Sequence, residues 1–265
     1  MKTIIVTGST RGIGYGLAKN FLERGAQVVI SGRSQESVDQ ACQSLQKDFP
    51  ADHIFGVACD MRDYSQVKNL WQESQEQYGK VDIWINNAGI AQAQTDFWDL
   101  DPDLISTLVE TNITGAMYGA KVALAGFLNQ GFGAFYNMEG LGSDGRQVEG
   151  LTLYGTSKYG LSYLTKNLAE EVKDSKVIVG ALRPGMVLTD LLLRQYDDRE
   201  PEEWERAKKI FNILADKVET VTPFLADQVL INQKNGKMIS WLTPVKAFWR
   251  FLTASISKRD LFTED

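Results

Sequence analysis

Ile4-Ile5-Val6 is a β-branched run that stops at Thr7-Gly8-Ser9-Thr10-Arg11-Gly12-Ile13-Gly14. A short apolar run bounded by glycine reads as a buried strand. Behind the glycines, Leu17, Phe21 and Leu22 recur at helical spacing up to Gly25, and Val28-Val29-Ile30 starts a second strand. Strand, glycine-rich turn, helix and strand in this order form a dinucleotide-binding unit, in which turn N–H groups and a helix N-terminus face a pyrophosphate. The spacing of Gly8, Gly12 and Gly14 departs from the common G-x-G-x-x-G, so the turn alone is a weak signal. Its place at the head of a βαβ pattern strengthens it.

The alternation continues. Helices are expected over 37–49, 64–78, 101–128 and 151–172, and strands over 53–58, 81–85, 133–137 and 176–182. Strands that alternate with helices imply right-handed crossovers and a doubly wound parallel sheet covered on both faces, an α/β fold of Rossmann type. Functional loops then gather at the strand C-termini. The glycine turn, Asp60, Asn86-Asn87-Ala88-Gly89, the loop after Asn137 and Pro184-Gly185 all fall there. The 265 residues carry no internal repeat and no Ser/Gly linker, so a single domain over 1–265 is expected.

The second strand ends in Ser31-Gly32-Arg33. A site selective for NAD places an acidic residue there, on the ribose 2′-hydroxyl. Its absence favours NADP(H), with Arg33 and Arg11 clamping a 2′-phosphate. The alternative is that both arginines are solvated turn residues.

Tyr154 and Lys158 are four residues apart, so a helix sets phenol and ammonium on one face. A free phenol titrates near ~10. A nearby cation favours the phenolate, which would bring proton transfer toward neutral pH. By itself, one such spacing is also what a surface helix shows by chance.

Other chemistries find little support. The net charge is -6 with pI near 5.0, which argues against non-specific nucleic-acid binding. Cys42 and Cys59 make neither a disulfide framework nor a metal cluster, and read as reduced thiols. The one histidine, His53, has no triad or zinc partners around it and reads as the polar start of a strand. The apolar run at the N-terminus is too short for a signal-peptide core or a membrane span. A cytoplasmic protein is expected, or an organelle stromal one after removal of a transit peptide.

Taken in order, Thr7-Gly8…Gly12…Gly14, Asp60, Asn86-Asn87-Ala88-Gly89, Asn112, Tyr154…Lys158 and Pro184-Gly185…Thr189 resemble the short-chain dehydrogenase/reductases over residues 3–190. The resemblance implies an NADP(H)-dependent oxidoreductase acting on carbonyl or hydroxyl groups. Tyr154 would protonate the carbonyl oxygen, Lys158 would hold the nicotinamide ribose and lower the Tyr154 pKa, and Asn112 would hold a water leading from Lys158 to solvent. The cofactor would lie on Gly8, Ser9, Thr10, Arg11, Gly12, Ile13, Gly14, Arg33, Asp60, Met61, Asn87, Ala88, Gly89, Pro184, Gly185, Val187 and Thr189. A homodimer or homotetramer through the helices near 101–128 and 151–172 is implied as well.

One departure matters. Where the family carries a serine pair after the Asn137 strand, this chain has Glu139-Gly140. Ser143 lies slightly later and could supply the hydroxyl on a glycine-flexible loop, or be a plain turn serine. Asn137-Met138-Glu139-Gly140…Gly142-Ser143, Lys209-Ile210-Phe211-Asn212 and Leu242-Thr243-Pro244 look like the chlorophyll b reductases and their relatives. That narrower resemblance implies reduction of a 7-formyl group; another apolar ketone, aldehyde or secondary alcohol is the alternative. A non-enzymatic NADP(H)-binding regulator on the same scaffold is the third reading.

The C-terminal third is expected to be helical. Trp204, Ala207, Lys208, Phe211 and Leu214 recur at helical spacing and suit either a substrate lid over about 190–218 or ordinary packing. Further helices are expected over 223–233 and about 244–257, around a last strand at 237–242. The final helix carries Val245, Phe248, Trp249, Leu252 and Ile256 on one face, with Lys246, Arg250, Lys258 and Arg259 nearby. Docking of that face onto protein is favoured over peripheral contact with a membrane.

Overall fold

The structure is a computed structural model that describes residues 1–196, 200–254, 256 and 259–262. Lys258, the expected helix end at 257 and residues 197–199 of the expected lid lie outside the described residues. Among these residues, seven parallel strands form one sheet in the order β3-β2-β1-β4-β5-β6-β7. They are β1 (Thr3–Val6), β2 (Gln27–Gly32), β3 (Ile54–Ala58), β4 (Ile83–Asn86), β5 (Gly133–Met138), β6 (Val177–Arg183) and β7 (Met238–Ser240).

Strand periodicity explains the two covered faces. Ile4 and Val6 point to one side, where they pack with Leu17 and Phe21 of α1 (Gly12–Glu23) and Leu225 of α9 (Val218–Ile231). Ile5 points to the other, among Leu70 and Trp71 of α3 (Tyr64–Tyr78) and Phe127 of α5 (Gly115–Gln130). These residues are at most 6% exposed, and full burial of such a side chain contributes about 1.5–3 kcal/mol. Trp71 stacks on Trp84 of β4 at 6.4 Å between centroids. α2 (Gln35–Leu45), capped by the Ser34 hydroxyl, joins the first face through Val38, Ala41 and Leu45.

Several expected elements shift. The helix over 101–128 is α4 (Pro102–Val109) and α5, joined by a π-helical turn, Glu110–Thr114. His53 sits in a short turn, Ala51–His53, ahead of β3 rather than in the strand. Helix α9 begins at Val218, so Pro223 lies inside it rather than at its start. Proline cannot donate there. The Thr222 hydroxyl bonds Val218 O, and Pro223 O accepts from Arg24, so that turn is braced from outside. The remaining helices are α6 (Thr152–Glu171), α7 (Asp190–Leu193), α8 (Pro201–Leu214) and α10 (Pro244–Thr253).

The stripe on α8 forms an aromatic cluster. Phe211 is fully buried against Tyr196, Trp204 and Phe262. Packing within the chain accounts for the Phe211 position of that stripe. No helix among the described residues is long and apolar enough to cross a membrane.

Candidate active site

The parallel sheet brings the expected loops to one edge. At β1 the chain turns through Gly8, whose φ is +61°, and an added Cβ would stand 2.8 Å from Ala88 Cα. Only glycine lets the first loop and the Asn87-Ala88 loop approach this closely. Thr7 locks them: Asn87 N–H and Ala88 N–H both donate to Thr7 Oγ1 at 3.0 Å. Asn87 Nδ2 donates to Thr7 O and Gly8 O. Ser9 is buried and holds the second strand, accepting from Ser31 N–H at 2.9 Å. Thr10 packs against Gly32.

Helix α1 follows with Arg11 at its N-cap and no side chain capping it. Its first-turn N–H groups, around Gly12, Ile13 and Gly14, are therefore open to an anion. Thr189 lies across from them, 3.6 Å from where a Cβ on Gly12 would sit, and caps α7 by accepting from Leu192 N–H. Pro184-Gly185 and Val187 lead to it; Gly185 presses on Leu242, and Val187 bridges to Asp216. This uncapped helix end, tight glycine turn and facing threonine fit a dinucleotide pyrophosphate.

The two-arginine clamp is not formed. Arg11 pairs with Asp190 at 3.1 Å on the surface. Arg33 is exposed at the end of β2, where its charge reaches Asp60. Asp60 itself is held by Arg62, with Nη2 at 2.6 Å, and that bond together with the nearby cations lowers its pKa. Arg62, absent from the expected set, thus belongs to this corner. Met61 is buried beneath it, against Gly115 and Gly119.

Tyr154 and Lys158 are both 6% exposed in the first turns of α6. Lys158 Nζ stands 5.7 Å from the Tyr154 ring centroid and donates to Met138 O at 3.2 Å. The expectation that lysine lowers the phenol is not met. Burial pushes Tyr154 up to about 12 and Lys158 down to about 8, against a smaller upward pull from Glu139. The ammonium sits over the ring face and bonds to a carbonyl, so the oxygen gains little from it. At neutral pH the phenol is protonated, the form that can donate.

The Lys158 shift has a measurable consequence. Between about 8 and its ordinary 10.5, the unfolded chain binds a proton that the folded chain does not. Wild-type stability relative to Lys158→Met is therefore expected to rise with pH across that window, by up to about 1.4 kcal/mol per pH unit. Denaturant midpoints of both proteins from pH 7 to 10 check this, and a pH-independent difference would contradict it.

Asn112 is buried in the π-helical turn, which adds one residue and turns the side chain inward. Ile90 N–H donates to its Oδ1, and its Nδ2 donates to Ile90 O, both at 2.8 Å. Nδ2 also reaches Ser157 Oγ at 3.2 Å, and Ser157 bonds Tyr154 O. The carboxamide is thus taken up in fixing the Ile90 loop against α6. Gly89 completes the corner: a Cβ there would meet Asn112 Oδ1 at 3.2 Å and Lys158 Nζ at 3.6 Å.

The displaced serine now has a physical context. A Cβ on Gly140 would lie 2.6 Å from Tyr154 Oη and 3.4 Å from Lys158 Cε. The loop is pressed against the phenol, and glycine makes room. Ser143 is buried in the next turn, where its N–H donates to Gly140 O, and no hydrogen bond joins its hydroxyl to Tyr154 among the described residues. Glu139 points away. It pairs with Arg183 at 2.7 Å, with its carboxylate almost fully buried. The register aligns Met138 with Leu182, so the next residues of β5 and β6 face each other. Sequence reasoning could have found that pair from the aligned strand ends.

Gln92 was missed altogether. It is 4% exposed in the loop beyond Ile90, and both its amide atoms lack a hydrogen-bond partner. Nearby, Gln94 N–H donates to Gln195 O and Thr95 N–H to Gly150 O, so the loop is closed over by later segments. An unpaired buried amide is costly unless something polar meets it.

Comparison with known proteins identifies the family. The family model described as short chain dehydrogenase matches residues 2–200. The Chlorophyll(ide) b reductase NOL, chloroplastic, of Arabidopsis thaliana is 38% identical, over 94% of this chain and 72% of that protein. The 3alpha-hydroxysteroid dehydrogenase of Mediterraneibacter gnavus is 37% identical, over 72% of this chain and 76% of that one. A variant of actinorhodin polyketide ketoreductase, solved with NADPH, superposes with a TM-score of 0.81 at 26% identity, covering 91% of this chain and 95% of that one. With the family model spanning most of the chain and a relative 38% identical over 94% of it, the chain belongs to the short-chain dehydrogenase/reductase family of oxidoreductases.

Proposed function

We propose that the protein is an NADPH-dependent carbonyl reductase whose substrate is a large apolar aldehyde, of the kind presented by the 7-formyl group of chlorophyll b. The observation that carries the reading is the buried Tyr154–Lys158 pair set against Gly140, beside an uncapped helix end and glycine turn. When bound, the nicotinamide would supply a hydride to the carbonyl carbon. Tyr154 gives its proton to the carbonyl oxygen. Lys158, held by Met138 O and kept cationic below about pH 8, is placed in this reading to hold the nicotinamide ribose. Asn112 and Ser157 fix the first turn of α6, so the phenol meets the carbonyl without reorganisation. Gln92, with a free donor and a free acceptor in the buried loop beyond Ile90, is assigned in this reading to a polar group of the substrate.

The substrate class rests on the Arabidopsis relative's name and on the resemblance of the loop after β5 to the chlorophyll b reductases. NADPH oxidation by the purified protein, with chlorophyll b and small aldehydes side by side, tests it. A pigment absorbance shift is expected; turnover of small carbonyls alone would reject the pigment. The preference for NADPH rests on Arg33. Removal of one charged hydrogen bond costs about 1.5–3 kcal/mol, so Arg33→Ala is expected to weaken NADPH roughly tenfold to a hundredfold. NADH should change little. Equal losses for the two cofactors would remove Arg33 from the 2′-phosphate. Self-association through α5 and α6 is part of this reading, supported by exposed Met117, Leu128, Tyr159 and Tyr163 on those helices.

A further inference from the structure

Helix α10 is mounted with its polar side inward. Lys246 Nζ sits 3.0 Å from the Trp241 ring centroid. Arg250 donates to Leu214 O at 2.9 Å and pairs with Asp216 at 2.8 Å. Arg259, just beyond the helix, pairs with the same carboxylate at 2.7 Å, and Trp241 Nε1 donates to it at 2.6 Å. Asp216 is 3% exposed and is the anchor for all of these. Its backbone also bonds Met186 O and Leu188 N–H, the segment that follows Pro184-Gly185.

The opposite side carries Val245, Phe248, Trp249, Phe251 and Leu252, each at least half exposed. Helical spacing puts them on one arc, facing away from Lys246 and Arg250. Of the two forms that the expected docking onto protein could take, cover of the chain's own core is not what forms. The arc needs some other cover.

We infer that this arc is a landing surface for the apolar layer beneath neutral lipid headgroups. Three features select that occupant. The helix's two cations are turned in and committed to Asp216 and Trp241, so the arc offers no charge to acidic lipids or acidic proteins. Its one polar outward group is the Trp249 indole N–H, whereas a protein interface carries about one hydrogen bond per 100–200 Å². Ten residues span only about 15 Å, on a helix about 10 Å wide, which falls short of the ~800 Å² per partner of a standard dimer. A lipid layer demands neither hydrogen bonds nor shape matching, and tryptophan and phenylalanine suit its boundary. The Asp216 anchor joins the arc rigidly to the Met186–Leu188 segment, so the catalytic edge would sit beside a reservoir of lipid-soluble substrate. The landing itself does not depend on which carbonyl is reduced.

The test uses the full chain, without substrate, and phosphatidylcholine vesicles in a flotation assay. Wild type is expected to float with the vesicles, and 1 M salt, on the order of a 3 Å screening length, should not release it. The Trp249 emission should shift to the blue. A Phe248→Ser/Trp249→Ser/Leu252→Ser variant should lose at least about tenfold in partitioning, a change of roughly 1.4 kcal/mol. Its thermal midpoint and its turnover of a small soluble aldehyde should match wild type. Failure of wild type to float, or binding that requires acidic lipid and is released by salt, overturns the inference. A wild-type oligomer that the triple variant splits would assign the arc to a second copy and overturn it too. Failure of the pigment assay alone would leave flotation unaffected, so the two readings fail separately.

Discussion

Tyr154→Phe is expected to lower kcat by about a thousandfold while leaving the NADPH dissociation constant within about twofold of wild type. The substitution removes one oxygen and keeps the buried ring at the start of α6. A positioned general acid contributes about 10²–10⁴-fold, and the neighbouring Lys158 ammonium is bonded to Met138 O and aimed at the ring face, not the phenol oxygen. Lys158 bonds Met138 O rather than the phenol, so its position should survive the change. Stopped-flow or steady-state NADPH oxidation gives kcat, and fluorescence titration gives the dissociation constant. Turnover that persists in Tyr154→Phe would remove Tyr154 as the acid. A parallel collapse of NADPH binding would recast it as a cofactor residue.

The second large effect is expected at Gly140. Because a Cβ there would stand 2.6 Å from Tyr154 Oη, even Gly140→Ala must displace the phenol. The atom in the way is the far end of a side chain, and Gly140 does not need a left-handed backbone. The fold should therefore tolerate the change, with a thermal midpoint shift of a few degrees at most. Activity should not. Misplacement of a reacting group by about 1 Å costs on the order of a hundredfold. Gly140→Ser is the sharper variant, since it puts a hydroxyl at one of the two positions where the family resemblance implies serine. It carries the same Cβ, so it too is expected to lose about a hundredfold in kcat. A serine variant as active as wild type, or more so, would show that the close contact is not what selects glycine here.

These two positions show what the sequence could convey. Tyr154…Lys158 was legible because helical spacing puts the pair on one face and the loops around it follow a family's order. The glycine turn and the strands were legible because β-branched runs ending in glycine have few other solutions. The missing serine was visible as a gap, but its cause was not: the contact between Gly140 and a phenol on another element exists only in three dimensions. The π-helical turn around Asn112 was hidden for a related reason. One extra residue within a long helical pattern barely disturbs its periodicity, yet it turns Asn112 onto Ile90.

Charge was read less well than hydrophobicity. Arg11 and Arg33 looked like partners because both follow strand ends, yet Arg11 finds Asp190. The Tyr154 pKa was expected to fall because a cation is near, but burial outweighs a lysine placed over the ring face. Helix α10 makes the same point about surfaces. Its amphipathic pattern was plain from Val245 to Leu252, but a pattern does not state which side faces the protein. Asp216, buried 34 residues earlier than Arg250, decides that.

The central claim is that this chain moves a hydride from NADPH to an aldehyde carbon while Tyr154 supplies the proton. The most direct measurement follows NADPH deuterated at nicotinamide C4 in a reaction with chlorophyll b, with both C4 positions labelled so that facial preference does not matter. The account predicts one deuterium on the new hydroxymethyl carbon per NADPH oxidised, with label transfer lost in Tyr154→Phe. Pigment reduced without deuterium on that carbon, or NADPH consumed with the formyl group intact, would contradict it.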